Sequence, residues 1–128
     1  MYKRLKIYKN SWFDRFARKN NIEDKDLIVA VEKAEKGLID ADLGGGIIKQ
    51  RIARKGQSSS KGYRAIIIFK KEDKCFFVFG YSKSERDNIS TNEEIEFKKV
   101  AKIMSDISED KISELLKNSS LIEVERHD

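Results

Sequence analysis

The sequence predicts a small single α+β domain: an antiparallel β-sheet meander with two N-terminal and two C-terminal helices. Three runs rich in β-branched and aromatic residues follow one another between residues 47 and 83, joined by short polar segments. Segments with apolar residues at helical spacing lie before and after these runs. The chain has 128 residues, 39% of them hydrophobic, so we expect one core and one domain over residues 1–128.

The N-terminal part predicts one strand and two helices. Residues 4–9 alternate apolar and polar side chains, as a short strand does. Ser11 can cap a first helix, and Asp24 or Asp26 can cap a second helix that ends near Gly37. Each helix has one apolar face, formed by Trp12, Phe13, Phe16 and Ala17 in the first and by Leu27, Ala30, Val31 and Ala34 in the second.

Residues 40–46 predict a loop, because three consecutive glycines occur there. A phosphate-binding loop needs a helix directly after its glycines, whereas residues 47–54 have a strand pattern, so we expect no nucleotide site. In that strand Ile48 and Ile52 share one face, and Lys49 and Arg51 share the other. Two more strands are expected over residues 63–70 and 74–83.

The C-terminal part predicts two helices and a short strand. Ser90 and Glu93 form a Ser-x-x-Glu capping box at the start of a third helix. The residues expected to be buried on that helix are Phe97, Val100, Ala101 and Met104. Ser108 can cap a fourth helix, and residues 121–125 can form a terminal strand.

Basic residues are concentrated in the predicted hairpin of residues 49–64. Six cations occur there with no acidic residue among them: Lys49, Arg51, Arg54, Lys55, Lys61 and Arg64. Like charges repel, so such a cluster is best explained by a polyanion that binds there. The net charge is +10 over residues 1–83 and −5 over residues 84–128, an asymmetry typical of proteins that contact nucleic acids.

The composition excludes several kinds of active site. His127 is the only histidine and is penultimate, so neither a His-pair ribonuclease site nor a Ser-His-Asp triad is expected. Cys75 is the only cysteine and lies in an apolar run, which favours a buried hydrophobic role in a reducing compartment. No metal-ligand spacing occurs, so we expect neither a metal nor another cofactor. Phosphoryl chemistry would use Lys, Arg, Tyr or Glu85.

The sequence predicts a cytoplasmic protein with no membrane partner. No apolar run approaches the ~20 residues that cross a bilayer, and residues 2–9 alternate apolar and basic side chains, unlike a signal peptide.

The meander predicts where the basic residues meet. Arg64 opens one strand and Lys83 closes the next, so Arg64, Tyr81, Lys83 and Arg86 are expected to lie close together, near Lys61. Such a group can hold a phosphodiester and stabilise the extra charge of a pentacovalent transition state. The alternative is a solvated basic face that only binds, or a sheet edge protected by lysines.

Three motifs resemble the RelE/HigB-like mRNA interferase group within the RelE/ParE superfamily of bacterial toxins. They read DLGGGIIKQRIAR over residues 42–54, GYR over residues 62–64 and FGYSKSERDNI over residues 79–89. The resemblance implies a RelE-like toxin of a type II toxin–antitoxin system that cleaves mRNA on the translating ribosome. Its partners would be mRNA, the ribosome and a cognate antitoxin that masks the basic face.

The resemblance also implies residue roles and a metal-independent mechanism. In the family the ribose 2′-hydroxyl, deprotonated with help from a Lys or Tyr, attacks the phosphate and leaves a 2′,3′-cyclic phosphate. The catalytic candidates are Lys49, Arg64, Tyr81, Lys83 and Arg86, and the RNA-binding candidates are Arg51, Arg54, Lys55, Lys61 and Tyr63. Two alternatives stay open: a ParE-like toxin that inhibits DNA gyrase without cleaving RNA, and a catalytically inactive nucleic-acid-binding regulator.

Overall fold

The computed structural model describes residues 4–53 and 62–126, which form a six-stranded sheet with helices on both faces. The elements in chain order are β1 (Lys6–Asn10), α1 (Ser11–Lys19), α2 (Asp24–Glu35), β2 (Ala41–Gly44), β3 (Ile47–Ile52), β4 (Tyr63–Lys70), β5 (Lys74–Ser82), α3 (Thr91–Ser105), α4 (Glu109–Lys117) and β6 (Leu121–Val124). The predicted α+β class is therefore confirmed, with two helices before the meander and two after it.

The sheet has the strand order β2-β3-β4-β5-β1-β6. Strands β3, β4 and β5 form the expected antiparallel meander. Strand β1 lies between β5 and β6, parallel to the former and antiparallel to the latter. The sheet is thus mixed rather than wholly antiparallel, because the N-terminal strand inserts between two strands that are distant in sequence.

The two faces of the sheet carry two separate apolar clusters. Phe13 of α1 and Leu27 of α2 pack with Ile67 and Phe77 on one face. Ala101 of α3 and Ile112 of α4 pack with Ile66 and other residues on the opposite face. Consecutive strand residues point to opposite faces, so the apolar run of β4 supplies both clusters.

Several local predictions need correction. Asn10, not Ser11, caps α1, and its side chain accepts a hydrogen bond of 2.7 Å from the Phe13 amide. Glu23, rather than either predicted aspartate, caps α2. Val100 was expected to be buried, but it is 41% exposed because it lies on the outer side of α3.

Part of the predicted loop at residues 40–46 is a strand. Residues Ala41–Gly44 form β2, which pairs with β3, and Gly44, Gly45 and Gly46 make the turn with φ values of +82°, +64° and +82°. Glycine is favoured at such values because it has no Cβ. Within residues 4–53 and 62–126, no helix has the length and apolar character needed to cross a membrane.

Candidate functional site

A row of polar side chains crosses the three central strands. Arg51 of β3 lies opposite Arg64 of β4, and Arg64 lies opposite Tyr81 of β5. Residues directly opposite each other in an antiparallel pair point to the same face, here the face covered by α3 and α4. Lys49 precedes Arg51 by two positions and shares this face. We call these four residues the polar row.

Arg64 is the most buried cation of the polar row, with 5% of its surface exposed. Its Nε lies 3.3 Å from Asp40 Oδ2, and its Nη1 donates to the Tyr63 carbonyl at 3.4 Å. A buried charge requires an opposite charge nearby, and Asp40 supplies it. The Arg64 guanidinium is therefore buried against the sheet beside Asp40 and does not extend into solvent.

Asp40 is itself held by Gln50, a buried residue on the opposite face of β3. The Asp40 amide donates to Gln50 Oε1 at 3.0 Å. Gln50 Nε2 in turn donates to the carbonyls of Ala30 at 2.9 Å and Leu38 at 3.0 Å. This network ties the segment after α2 to the sheet and places Asp40 beside Arg64.

Arg86 is held against α3 by Glu93. The guanidinium makes a two-pronged ion pair with the carboxylate, and it lies over the rings of Phe79 and Tyr81 at 5.9 and 5.6 Å from their centroids. Glu93 also closes the predicted capping box with Ser90, which is confirmed. The hydrogen bonds from Arg86 and Ser90 lower the pKa of Glu93 to about 2. Much of the Arg86 charge is thus offset.

Three other cations keep uncompensated charges. Arg51 is exposed, and Lys49 and Lys83 are half-buried. Lys83 Nζ donates to the Asp87 carbonyl at 3.2 Å. In the part of the chain that the structure describes, none of the three has a carboxylate within 4.0 Å. These three charges are available to an anionic ligand.

Tyr81 is buried in the polar row, with its hydroxyl directed towards the loop after β5. Burial raises the pKa of Tyr81, with a further increase from Asp40, and the cation of Arg64 opposes this. The phenol therefore stays protonated at neutral pH. It suits the role of a hydrogen-bond or proton donor better than that of a base.

Asn88 joins the polar row to this loop and was not predicted as a site residue. Its Oδ1 lies 3.5 Å from both Lys49 Nζ and the Tyr81 hydroxyl, and its carbonyl accepts from Arg86 Nε at 3.0 Å. Asp40, Gln50 and Glu93 were also missed as site residues. Asn88 lies within the motif of residues 79–89, which was the only available signal for it.

Tyr63, which was predicted to bind RNA, lies on the other face of the sheet. Tyr63 pairs with Ser82 and Ile52, so it points to the face covered by α1 and α2, and it meets the Phe16 ring edge-on at 5.9 Å. The structure does not bring it to the polar row. The RNA-binding candidates Arg54, Lys55 and Lys61 lie outside the described residues.

Two comparisons with known proteins complement this geometry. Comparison with the curated proteins finds no match. Comparison with protein families finds one described as the RelE toxin of the RelE / RelB toxin-antitoxin system, whose model matches residues 5–124. This match covers nearly the whole chain and includes all four helices and six strands of the described residues. The chain therefore belongs to the RelE toxin family, the toxins of toxin–antitoxin systems.

Proposed function

We propose that this chain is an endoribonuclease toxin that cleaves mRNA on the translating ribosome. The observation that carries the proposal is the uncompensated charge of Lys49 and Arg51, which share the polar row with Arg64 and Tyr81, together with that of Lys83 in the loop directly after β5. Such a set of cations binds a phosphodiester, and it stabilises the additional negative charge that develops during cleavage.

The cleavage step needs no group beyond these side chains and water. The ribose 2′-oxygen bonds to phosphorus while the bond from phosphorus to the 5′-oxygen breaks, and the 2′-hydroxyl proton passes to water. The products are a 2′,3′-cyclic phosphate and a 5′-hydroxyl. Lys49 and Lys83 stabilise the phosphorane. The Tyr81 hydroxyl gives its proton to the leaving 5′-oxygen and then recovers a proton from water.

The proposed activity implies a protein partner that neutralises the toxin and a place of action in the cell. An antitoxin would neutralise the toxin by covering the polar row, because RNA and antitoxin would then compete for the same charges. Action on translating ribosomes places the protein in the cytoplasm.

A translation reaction in vitro tests this function. Wild-type protein should cut the mRNA within the ribosomal A site, as mapped by primer extension. Lys49→Gln should slow cleavage by about 100-fold, since removing one stabilising group from an active site has an effect of this order. Lys19→Gln is the matched control, because Lys19 is an exposed lysine on α1, across the sheet.

Intact mRNA in the presence of wild-type protein would refute the proposal. If the same preparation inhibited DNA supercoiling by gyrase, the ParE-like alternative would replace it. Cleavage of the same mRNA without ribosomes would retain the nuclease and remove the ribosome from the mechanism.

A further inference from the structure

Three hydrogen-bond donors lie within 3.5 Å of the side-chain oxygen of Asn88. The Ile89 amide donates to Oδ1 at 2.9 Å and fixes the orientation of the side chain. Lys49 Nζ and the Tyr81 hydroxyl each lie 3.5 Å from the same oxygen. The ammonium of Lys49 and the hydroxyl of Tyr81 are therefore within about 7 Å of each other, although they come from β3 and β5.

Two basic side chains hold the backbone of the loop that carries Asn88. Arg86 Nε donates to the Asn88 carbonyl at 3.0 Å, and Lys83 Nζ donates to the Asp87 carbonyl at 3.2 Å. The ion pair with Glu93 attaches Arg86 to the first turn of α3. Asn88 is thus an exposed residue whose position is set by α3.

The side-chain amide of Asn88 is chemically suited to a position between an ammonium and a phenol. A carbonyl oxygen accepts hydrogen bonds from an ammonium and a phenol without adding a counter-charge. Lys49 therefore keeps its full charge for a phosphate, which an aspartate at the same position would offset. Contacts of 3.5 Å are long, but hydrogen bonds in active sites often shorten only when the substrate binds.

We propose that Asn88 is a positioning residue for RNA cleavage, which holds the Lys49 ammonium and the Tyr81 hydroxyl on one amide oxygen. The inference rests on the proposed function, because it concerns the geometry of that same site. It adds a residue that acts through Lys49 and Tyr81, and it assigns to α3 the task of fixing the loop between them.

Two substitutions separate this role from a local structural one. The hydroxyl of Asn88→Ser can still accept the Ile89 amide, but it is too short to reach Lys49 and Tyr81. The side chain in Asn88→Asp has the same length as asparagine, so it can still reach Lys49 and Tyr81, but it carries a negative charge. Asn92→Ser is the matched control, because Asn92 is an exposed asparagine in the first turn of α3.

Single-turnover cleavage should distinguish the two variants, one by its maximal rate and the other by its KM. Asn88→Ser should lower the maximal rate by about 10-fold with KM within about twofold, because misplaced groups cost rate rather than binding. Asn88→Asp should chiefly raise KM, since its charge repels the phosphate. A maximal rate for Asn88→Ser equal to that of Asn92→Ser would overturn the inference.

An NMR measurement decides the inference without relying on cleavage. Protein labelled with ¹³C at tyrosine Cζ should show a changed Tyr81 titration in Asn88→Ser but not in Asn92→Ser, with Tyr81→Phe providing the assignment. An unchanged Tyr81 titration in Asn88→Ser would refute the positioning. If wild-type protein failed to cleave mRNA, the proposed function would be refuted, and this titration would still decide whether Asn88 positions the Tyr81 hydroxyl.

Discussion

Arg64 shows why charged residues of this site cannot all be tested by the same substitution. It is buried and paired with Asp40, so Arg64→Ala would leave a carboxylate without its partner. Removing one member of a buried ion pair commonly costs about 3–5 kcal/mol. Loss of activity in that variant would then reflect unfolding as much as chemistry. Lys49, which is half-buried and has no carboxylate partner among the described residues, is the better probe of charge.

The ion pair between Arg86 and Glu93 predicts a loss of stability in acid. The pKa of Glu93 falls from an ordinary 4.5 to about 2, chiefly through the hydrogen bond from Arg86. A carboxyl whose pKa is lowered by folding contributes stability above its unfolded pKa. That contribution is lost as the pH falls from about 4.5 towards 2.

Glu93→Gln measures this contribution, because glutamine can retain the capping box while removing the charge. We expect the variant to be less stable by roughly 0.5–1 kcal/mol at pH 7, since the pair is partly exposed and solvent screens it. Urea unfolding should show that the difference shrinks as the pH falls below 4. Glu94→Gln serves as the control, and a difference that persisted unchanged in acid would contradict the prediction.

At the scale of the elements, Gly80 determines how closely α1 packs on β5. A Cβ at Gly80 would lie 2.4 Å from Phe16 Cε2 and 3.0 Å from Phe13 Cε2. Both distances are too short for carbon atoms in contact, so α1 would have to move. A glycine inside a strand often marks such a close approach.

Gly80→Ala should therefore destabilise the protein by about 1–3 kcal/mol, the usual cost of inserting a methyl group into a packed core. In a Phe16→Ala background the same substitution should cost less, because the nearest ring is absent. Chemical denaturation of the four proteins of this double-mutant cycle gives the coupling. Equal costs in the two backgrounds would show that the Phe16 ring does not limit the packing.

Elements with local signals were predictable, and those held by distant contacts were not. The capping box of Ser90 and Glu93 marked α3, and the apolar run of β4 marked a central strand. Strand β2 was missed because its Asp42 and Gly44 are typical of loops, and only pairing with β3 makes it a strand. The place of β1 between β5 and β6 also depends on pairing with distant segments.

The site was predictable to a similar extent. The meander register brings Arg51, Arg64 and Tyr81 together, which strand order alone suggested for Arg64 and Tyr81. The burial of Arg64 depends on Asp40, and the role of Asn88 depends on Lys49, which is 39 residues away in sequence. Neither partner lies close enough along the chain for spacing to reveal it.

At the scale of the whole molecule, the acidic C-terminal part neutralises basic residues of both halves of the chain. Glu109 of α4 pairs with Lys74 of the basic part at 3.0 Å, and Glu93 of α3 pairs with Arg86 of its own part. The charge asymmetry of the sequence is therefore partly cancelled in space. Among the residues that the structure describes, Lys49, Arg51 and Lys83 are the cations at or next to the polar row that keep uncompensated charges.

The salt dependence of RNA binding should identify which of these charges meet phosphates. For single strands, the logarithm of the binding constant falls with the logarithm of salt concentration by about 0.7 per phosphate neutralised. Lys49→Gln and Arg51→Gln should each reduce that slope by roughly this amount, whereas Lys19→Gln should leave it unchanged.

Fluorescence anisotropy with a 2′-O-methylated RNA, which cannot be cleaved, over a series of KCl concentrations gives the slopes. Since all three variants lose one positive charge, an equal change in all of them would mean that RNA responds to net charge. A change confined to Lys49→Gln and Arg51→Gln would place phosphates at the polar row.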